Sequence, residues 1–354
     1  MNAQKAIENA LYRLEIVSIK EETTDTKSFQ LKSVGDQEIH YQSGQFLTLL
    51  FTHSNGEEVR RSYSISSSPL LHEPLTITVK KIPNGEFSRQ LVDHAQVGDR
   101  LYSSGASGLF TLPPINKTTR LAFCFLAAGS GITPLYAHIK TLLYGSASTI
   151  LLIYSNRHAQ STIFFRELLQ LREQFKDRFT LELLFSESAQ IMNSRLTQYV
   201  LDALTKKYAL YERPNTSFYL CGPNAYMRMI SIKLRADGIQ PNQIKKEHFI
   251  VNPPLHQLPE PPDRDEHRVD VYMGQQHFTL AVQYPISILA AAKQQKVPLP
   301  YSCENGQCGS CAVRCTKGQI WMRYNEVLGE KALAEGYVLT CTGYPVGGPA
   351  EITL

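Results

Sequence analysis

The chain has no block of lysine or arginine, no hydrophobic run long enough to span a bilayer, no internal repeat and no low-complexity tract. Each absence removes a class of function. Its 36 Lys and Arg stand against 32 Asp and Glu, and a net charge of +4 over 354 residues offers nothing for a nucleic-acid backbone to bind. The most apolar stretch, Leu121 to Leu135, is interrupted by Gly129, Gly131 and Pro134 and is shorter than the roughly 20 residues a membrane helix needs. Met1 to Ala10 is polar and mixed, without a charged start leading into an apolar run, so no export signal and no membrane partner are expected, and a cytoplasmic location is. What remains is ordinary for a globular chain: 43% hydrophobic and 19% charged residues, over a length that implies two or three domains.

Cysteine supplies the strongest positive signal. Cys303, Cys308, Cys311 and Cys341 follow the order Cys-x4-Cys-x2-Cys and a distant fourth, the spacing of a plant-type [2Fe-2S] cluster. The intervening residues, Glu-Asn-Gly-Gln and Gly-Ser, keep side chains small where backbone N–H groups turn toward cluster sulfurs. In a reducing compartment, clustered cysteines bind metal more often than they form disulfides. Four thiolates also satisfy tetrahedral zinc, but zinc prefers paired knuckles and only one Cys-x2-Cys pair exists here. Cys124 and Cys315, each inside a strand-like segment, read as small buried hydrophobes.

Texture divides the chain. Residues 1–115 carry short alternating β-prone segments, such as Gln45–Phe51 and Leu75–Val79, and predict an antiparallel β-barrel. Residues 116–250 carry apolar runs, Leu121–Leu126, Thr149–Tyr154, Leu181–Phe185 and Ser217–Cys221, separated by helical spacings such as Phe164 to Phe175. They predict an α/β domain with a parallel sheet. Val251 to His267 holds five prolines and predicts an extended linker over 251–266. A third domain, 267–354, opens with strand-like Val269–Met273 and Phe278–Val282, then a helix from Ile286 to Gln294 that leads into the cysteine loop.

Three further motifs carry chemistry. Arg61-Ser-Tyr63-Ser64 offers a guanidinium for phosphate, an aromatic face for a flat ring and a hydroxyl for a ring nitrogen. Gly85-Glu-Phe-Ser88 reads as a helix start whose N–H groups suit a pyrophosphate, or as an ordinary Ser-capped helix. In the second domain the first apolar strand runs into Gly129-Ser-Gly131-Ile-Thr133-Pro134, a glycine turn opening a helix. Pro134 stands where a third glycine would complete the dinucleotide fingerprint, so a plain tight turn remains open. Leu220-Cys221-Gly222-Pro223 ends another buried strand, at the sheet edge where ligands sit. After the second strand come Ser155-Asn-Arg157, then Arg166, with no Asp or Glu directly following. An acidic residue there would bind both ribose hydroxyls of NADH, whereas arginine attracts the 2′-phosphate of NADPH, so NADPH is expected and NADH remains possible.

In this order the motifs resemble the ferredoxin-NADP reductase superfamily, in the subgroup with a plant-type ferredoxin fused at the C-terminus, as in the reductase subunits of phenylacetyl-CoA epoxidase and of ring and steroid hydroxylases. The resemblance covers nearly the whole chain. It implies that the third domain is an α+β β-grasp ferredoxin, that Arg61, Tyr63 and Ser64 bind FAD, and that Gly85 and Ser88 hold its pyrophosphate. It further implies that the nicotinamide cofactor occupies the loop of Gly129, Gly131, Thr133 and Pro134 and the edge formed by Cys221, Gly222 and Pro223. Glu247-His-Phe249 looks like the family's Glu-x-Phe element, which implies that Phe249 covers the flavin and that Ser64, Cys221 and Glu247 surround the transfer site.

A nicotinamide delivers two electrons together and an iron–sulfur cluster takes one, so a flavin between them is required. The expected path is NADPH to FAD to [2Fe-2S] to a separate acceptor protein such as an oxygenase, because no acid–base pair or nucleophile is visible for any other substrate. Two other readings stay open. One is an FMN- and NADH-dependent reductase of the phthalate-dioxygenase type; the other is a flavin redox sensor whose zinc-held third domain recruits a partner.

Overall fold

The computed structural model describes residues 11–35, 37–53, 55–188, 194–208, 216–249 and 258–354. They gather into two compact units, one built on the described residues of 12–106 and 110–249 and the other on 107–109 with 258–354.

The first unit begins with six antiparallel strands: β1 (Tyr12–Thr23), β2 (Thr26–Ser33), β3 (Phe46–Thr52), β4 (Glu58–Ser64), β5 (Thr76–Lys80) and β6 (Arg100–Ser107). Their order is β4-β3-β6-β1-β2-β5, and an Ile65–Ile77 bridge joins the end of β4 to β5, closing the sheet into a barrel. Alternation fills the inside with Leu14, Ile16, Phe29, Leu47, Leu49, Ile77 and Val79, all buried. A short helix, α1 (Glu86–Arg89), continues as a π turn over Gln90–His94 and plugs one end with Phe87, Leu91 and Val92.

The same unit then forms five parallel strands, β7 (Ala122–Ala128), β8 (Thr149–Asn156), β9 (Phe179–Phe185), β10 (Thr216–Cys221) and β11 (Ile244–Glu247), ordered β11-β10-β7-β8-β9. Both faces are covered, which is why these strands read as continuous apolar runs. In β7, Phe123, Phe125 and Ala127 face α2 (Ile132–Gly145) and α3 (Phe165–Gln174), while Cys124 and Leu126 face α4 (Gln198–Lys207) and α5 (Asn224–Ala236). Cys124 is therefore core, as expected. The chain runs from β7 to β8 on one side and returns to β10 on the other, so the strand order reverses at β7, and the turns after β7 and β10 meet at this switch point.

Barrel and parallel sheet are pinned within this unit. His138 of α2 is fully buried and sits 2.8 Å from the Phe110 carbonyl through Nε2 and 3.2 Å from Ser43 Oγ through Nδ1. A carbonyl only accepts, so Nε2 carries the proton and the ring is neutral. Burial pushes its pKa down to about 3, against a smaller opposing effect of the Phe110 hydrogen bond.

The second unit is a mixed sheet, β13 (Gln276–Val282), β12 (His267–Met273), β18 (Ala350–Thr353), β14 (Ala312–Lys317) and β16 (Tyr337–Leu339) in that order. β12 and β18 run parallel and the other neighbours antiparallel. Helix α6 (Ile288–Gln294) packs Ile288, Leu289, Ala291 and Ala292 on it, the arrangement of a β-grasp domain. A small hairpin of β15 (Ile320–Met322) and β17 (Gly343–Pro345) and a short helix α7 (Glu330–Ala334) complete it. Cys315 is half-buried against this core.

Of the linker expected over 251–266, the first seven residues lie outside the described ones, and the rest is extended but tied down. Pro261 is buried, and Asp263 accepts hydrogen bonds from Gly347 N at 2.7 Å, Asp265 N at 2.9 Å and His267 Nε2 at 2.6 Å. The Gly347 N–H, first among these donors, holds the Asp263 carboxyl down to about 2. Residues 258–266 lack secondary structure but are fastened to the second unit. Proline content announces an extended backbone without announcing whether side-chain acceptors tie it down.

Candidate functional site

A cavity of about 1710 Å³ runs across the first unit. From the barrel it is lined by Arg61, Tyr63 and Ser64 of β4 and by the Lys80–Arg89 segment; from the parallel sheet it is lined by Gly129, Ser130, Thr133, Arg157, Gly222, Pro223 and Phe249. Strand pairing explains the first set. Arg61 and Tyr63 lie opposite Leu49 and Leu47, and directly opposed residues share a sheet face, so the face that forms the barrel core continues across β4 as the cleft wall. Burial pushes the Tyr63 phenol well above its ordinary pKa, so its ring is an uncharged flat surface.

The second contribution is a pair of interlocked turns. Gly129 has φ +55, in the left-handed region where glycine is at ease, and a Cβ there would meet nothing within 4 Å, so its backbone is open to the cavity. Gly131 is different. A Cβ on it would overlap the Cys221 carbonyl and lie 2.8 Å from Gly222 N, so this glycine lets the turn after β7 approach the end of β10. Tyr226 reinforces the junction by donating to the Ala127 carbonyl at 3.1 Å, and Thr133 Oγ1 donates to Ser130 O at 2.9 Å.

At the meeting of barrel and sheet, Ser64 Oγ donates to Glu247 Oε1 at 3.1 Å, and Glu247 pairs in register with Cys221 on the neighbouring strand. Cys221 is fully buried; desolvation first, and the Glu247 carboxylate second, push its thiol well above the ordinary value, so it stays protonated. The three residues expected around the transfer site are thus brought together across elements far apart in the chain.

In the second unit the four cysteines approach in two pairs. Cys311 and Cys341 sulfurs are 3.2 Å apart, and the Cys303 thiol hydrogen-bonds to Cys308. Backbone N–H groups point at the sulfurs: Asn305 to Cys303 at 3.4 Å, Gly306 to Cys341 at 3.3 Å and Ser310 to Cys308 at 3.5 Å. The Cys303 thiol first, and against desolvation, holds the Cys308 thiol below its ordinary value, helped by its hydrogen bonds with Ser310.

Comparison with known proteins gives three family models in sequence: "Oxidoreductase FAD-binding domain" over 13–112, "Oxidoreductase NAD-binding domain" over 125–231 and "2Fe-2S iron-sulfur cluster binding domain" over 272–346. The ferredoxin reductase component of 3-ketosteroid-9-alpha-monooxygenase from Mycolicibacterium smegmatis is 32% identical, over 96% of this chain and 96% of its own. The chain belongs to the flavin and iron–sulfur reductase components of oxygenases. One of the subunits of 1,2-phenylacetyl-CoA epoxidase from Escherichia coli is 31% identical over 95% of each chain. Among solved structures, phthalate dioxygenase reductase shares the fold over the whole of both chains, with a TM-score of 0.58 at 22% identity.

The chain is therefore an NAD(P)H oxidoreductase whose cofactors are FAD, a pyridine nucleotide and a [2Fe-2S] cluster. Its residues fit them. Two thiol pairs suit two irons. The cavity spans both a flat aromatic wall and an exposed glycine turn.

Some expected residues stand elsewhere. Arg166 is exposed on α3 and does not line the cleft; Gly131, Pro134, Cys221 and Glu247 lie behind its wall. Gly85 and Ser88 do line it, but the helix start is not Ser-capped. Gly85 is the N-cap, and the Ser88 hydroxyl donates to Gly85 O at 3.1 Å and accepts from Ile82 N at 3.3 Å, closing the preceding turn. Arg195 also lines the cleft and was not visible in the sequence, since it lies in no motif.

Proposed function

We propose that this chain passes electrons from NADPH, through FAD and the [2Fe-2S] cluster, to a separate oxygenase. The observation that carries this reading is the single cavity shared by the Arg61-Ser-Tyr63-Ser64 strand and the two glycine turns, which brings two ring-binding walls together in one space. When bound, the flavin supplies a two-electron acceptor that can release electrons one at a time. The protein's part is to bind, orient and exclude water.

In this reading Arg61 takes phosphate, Tyr63 stacks on the flavin, Ser64 hydrogen-bonds its ring, and Gly85 with Ser88 shapes the turn beside the pyrophosphate. Gly129, Thr133, Gly222 and Pro223 receive the nucleotide, with Gly131 and Pro134 fixing the turn. Phe249, 43% exposed on the cleft wall, covers the flavin and gives way to nicotinamide. Cys221 and Glu247, with Ser64, surround the transfer point. Cys303, Cys308, Cys311 and Cys341 hold the cluster. The functional boundaries in this reading are 1–115, 116–250, a connecting stretch of 251–266 whose later residues are tied to the last domain through Asp263, and 267–354.

NADPH is preferred over NADH because Arg157 lines the cleft just past Ser155 and Asn156 at the end of β8, with no carboxylate following the strand, and Arg195 lines the same cleft. A cytoplasmic setting fits seven cysteines that are all free thiols. No helix among the described residues is long and apolar enough to cross a membrane. The partner is inferred from relatives whose names make them oxygenase components.

The test is Cys308→Ser. Iron and acid-labile sulfide should disappear, together with transfer to the oxygenase, while NADPH-driven reduction of ferricyanide through the flavin persists. If ferricyanide reduction is lost as well, the division of labour proposed here is wrong.

A further inference from the structure

Phe87 of α1 is only 3% exposed, as a residue that merely fills the core would be. Its neighbours suggest otherwise. The ring stacks on Phe51 of β3 with centroids 4.5 Å apart at 28°, and Phe51 in turn meets Tyr63 edge-on at 6.5 Å and 81°. The same Phe87 ring supports the Arg61 guanidinium, whose Cζ lies 5.5 Å from the ring centroid. Arg61 Nη1 is also tied to the Arg60 carbonyl at 2.8 Å. The ring itself is held from the far side of its helix turn, where His53 packs against it at 5.1 Å and bonds Glu86 at 2.9 Å.

An arginine side chain loses much rotamer freedom when it grips an anion, and a guanidinium already resting on an aromatic ring has lost part of it beforehand. One of its five N–H donors is used by the Arg60 carbonyl, which leaves the rest of the fork for phosphate. We propose that Phe87 is a positioning residue for flavin binding: its ring holds the Arg61 guanidinium in the cleft in readiness for the flavin pyrophosphate. The proposal rests on the reading of Arg61 as the phosphate ligand. Leucine or methionine fills the same core space without offering a π face, so the ring's electrostatic part is separable from its packing part.

The experiment titrates the full-length chain, stripped of flavin, with FAD and with riboflavin, which lacks phosphate. Arg61→Ala should weaken FAD by about tenfold or more and leave riboflavin nearly unchanged. Phe87→Leu should weaken FAD by about two- to fivefold, spare riboflavin, and have no effect once Arg61→Ala is present; Phe87→Tyr should restore affinity. Phe87→Met serves as a second aliphatic variant should the leucine protein fold poorly. Phe87 is merely packing if its loss weakens both flavins alike, leaves FAD unaffected, or acts undiminished without Arg61. If instead Arg61→Ala does not change the ratio of FAD to riboflavin affinity, the phosphate reading of Arg61 fails, and this proposal with it.

Discussion

The cysteine loop takes three of its four thiols from residues 303 to 311, whereas the cleft is lined by stretches scattered from Thr24 to Phe249. The loop is organised by its own backbone, whose N–H groups at 305, 306 and 310 turn to the sulfurs. The cleft is organised by packing between elements that meet only in the folded unit: Gly131 against Cys221, Ser64 against Glu247, His138 against Phe110. A local device should fail locally. A packed one should transmit damage to whatever it brings together.

One glycine from each region tests this most severely. In Gly131→Ala the new methyl overlaps a backbone carbonyl that cannot swing aside, so overpacking of about 1–3 kcal/mol is expected. Flavin reduction by NADPH should fall by more than about tenfold, with iron and sulfide content unchanged. In Gly306→Ala the residue has φ +70 and its Cβ would lie 2.7 Å from Tyr324 O, while its N–H must still reach Cys341. Iron and sulfide per chain should drop while reduction of the flavin, followed by stopped flow, keeps its rate. A Gly131→Ala protein that also loses its cluster would erase the contrast.

Within the cleft, the two arginines sharpen the comparison, since they come from different loops of the sheet edge. Removing Arg157 or Arg195 should lower kcat/KM for NADPH by roughly tenfold each and leave NADH little changed, as loss of a charge-assisted phosphate contact implies. Equal losses for both nucleotides would assign them to folding and not to discrimination.

How much of this was legible depends on where each signal resides. The three-domain order and the β7 to β10 strands were legible because apolar period is a local property, as the spacing of the four thiols also is. Arg166, nine residues past Arg157, reads in the sequence as its companion, and it stands exposed on α3 outside the cleft lining. Arg195 was missed because nothing near it in the sequence marks the cavity it reaches. Phe87 carried no signal of its own in the sequence, because the stack of Phe51 and the guanidinium on it exists only after folding. His138 gave no sign, since a histidine on an apolar helix says nothing about its burial between a carbonyl and a hydroxyl.

His138 also yields a pH effect. Its folded-state pKa, near 3, is below the roughly 6.5 of an unfolded histidine, so the neutral ring's contribution is present above about pH 6.5 and is lost as pH falls toward 3. Over that window the slope approaches about 1.4 kcal/mol per pH unit. Thermal melts of the wild type and His138→Gln at pH 7.5 and 5.5 should show the wild type losing more stability than the variant. Parallel losses would mean that the imidazole is not the group responsible.

The smallest expected effect concerns how the second unit finds its partner. Residues 267–354 contain seven Lys or Arg (268, 293, 296, 314, 317, 323, 331) and six Asp or Glu (270, 304, 326, 330, 335, 351), a balance of +1 before the cluster's own charge. Several of these are already paired, Lys293 with Glu304 at 2.9 Å and Lys317 with Glu351 at 2.9 Å. A surface so nearly neutral produces little long-range steering, because exposed charges are screened beyond about 8 Å at physiological ionic strength and opposite signs cancel at shorter range. Recognition must then come from short-range fit at the docking face, which sets dissociation more than encounter. The rate of oxygenase reduction should change by less than about threefold between 50 and 300 mM salt. A steep decline would require a concentrated patch of one sign that the balance of this domain does not provide.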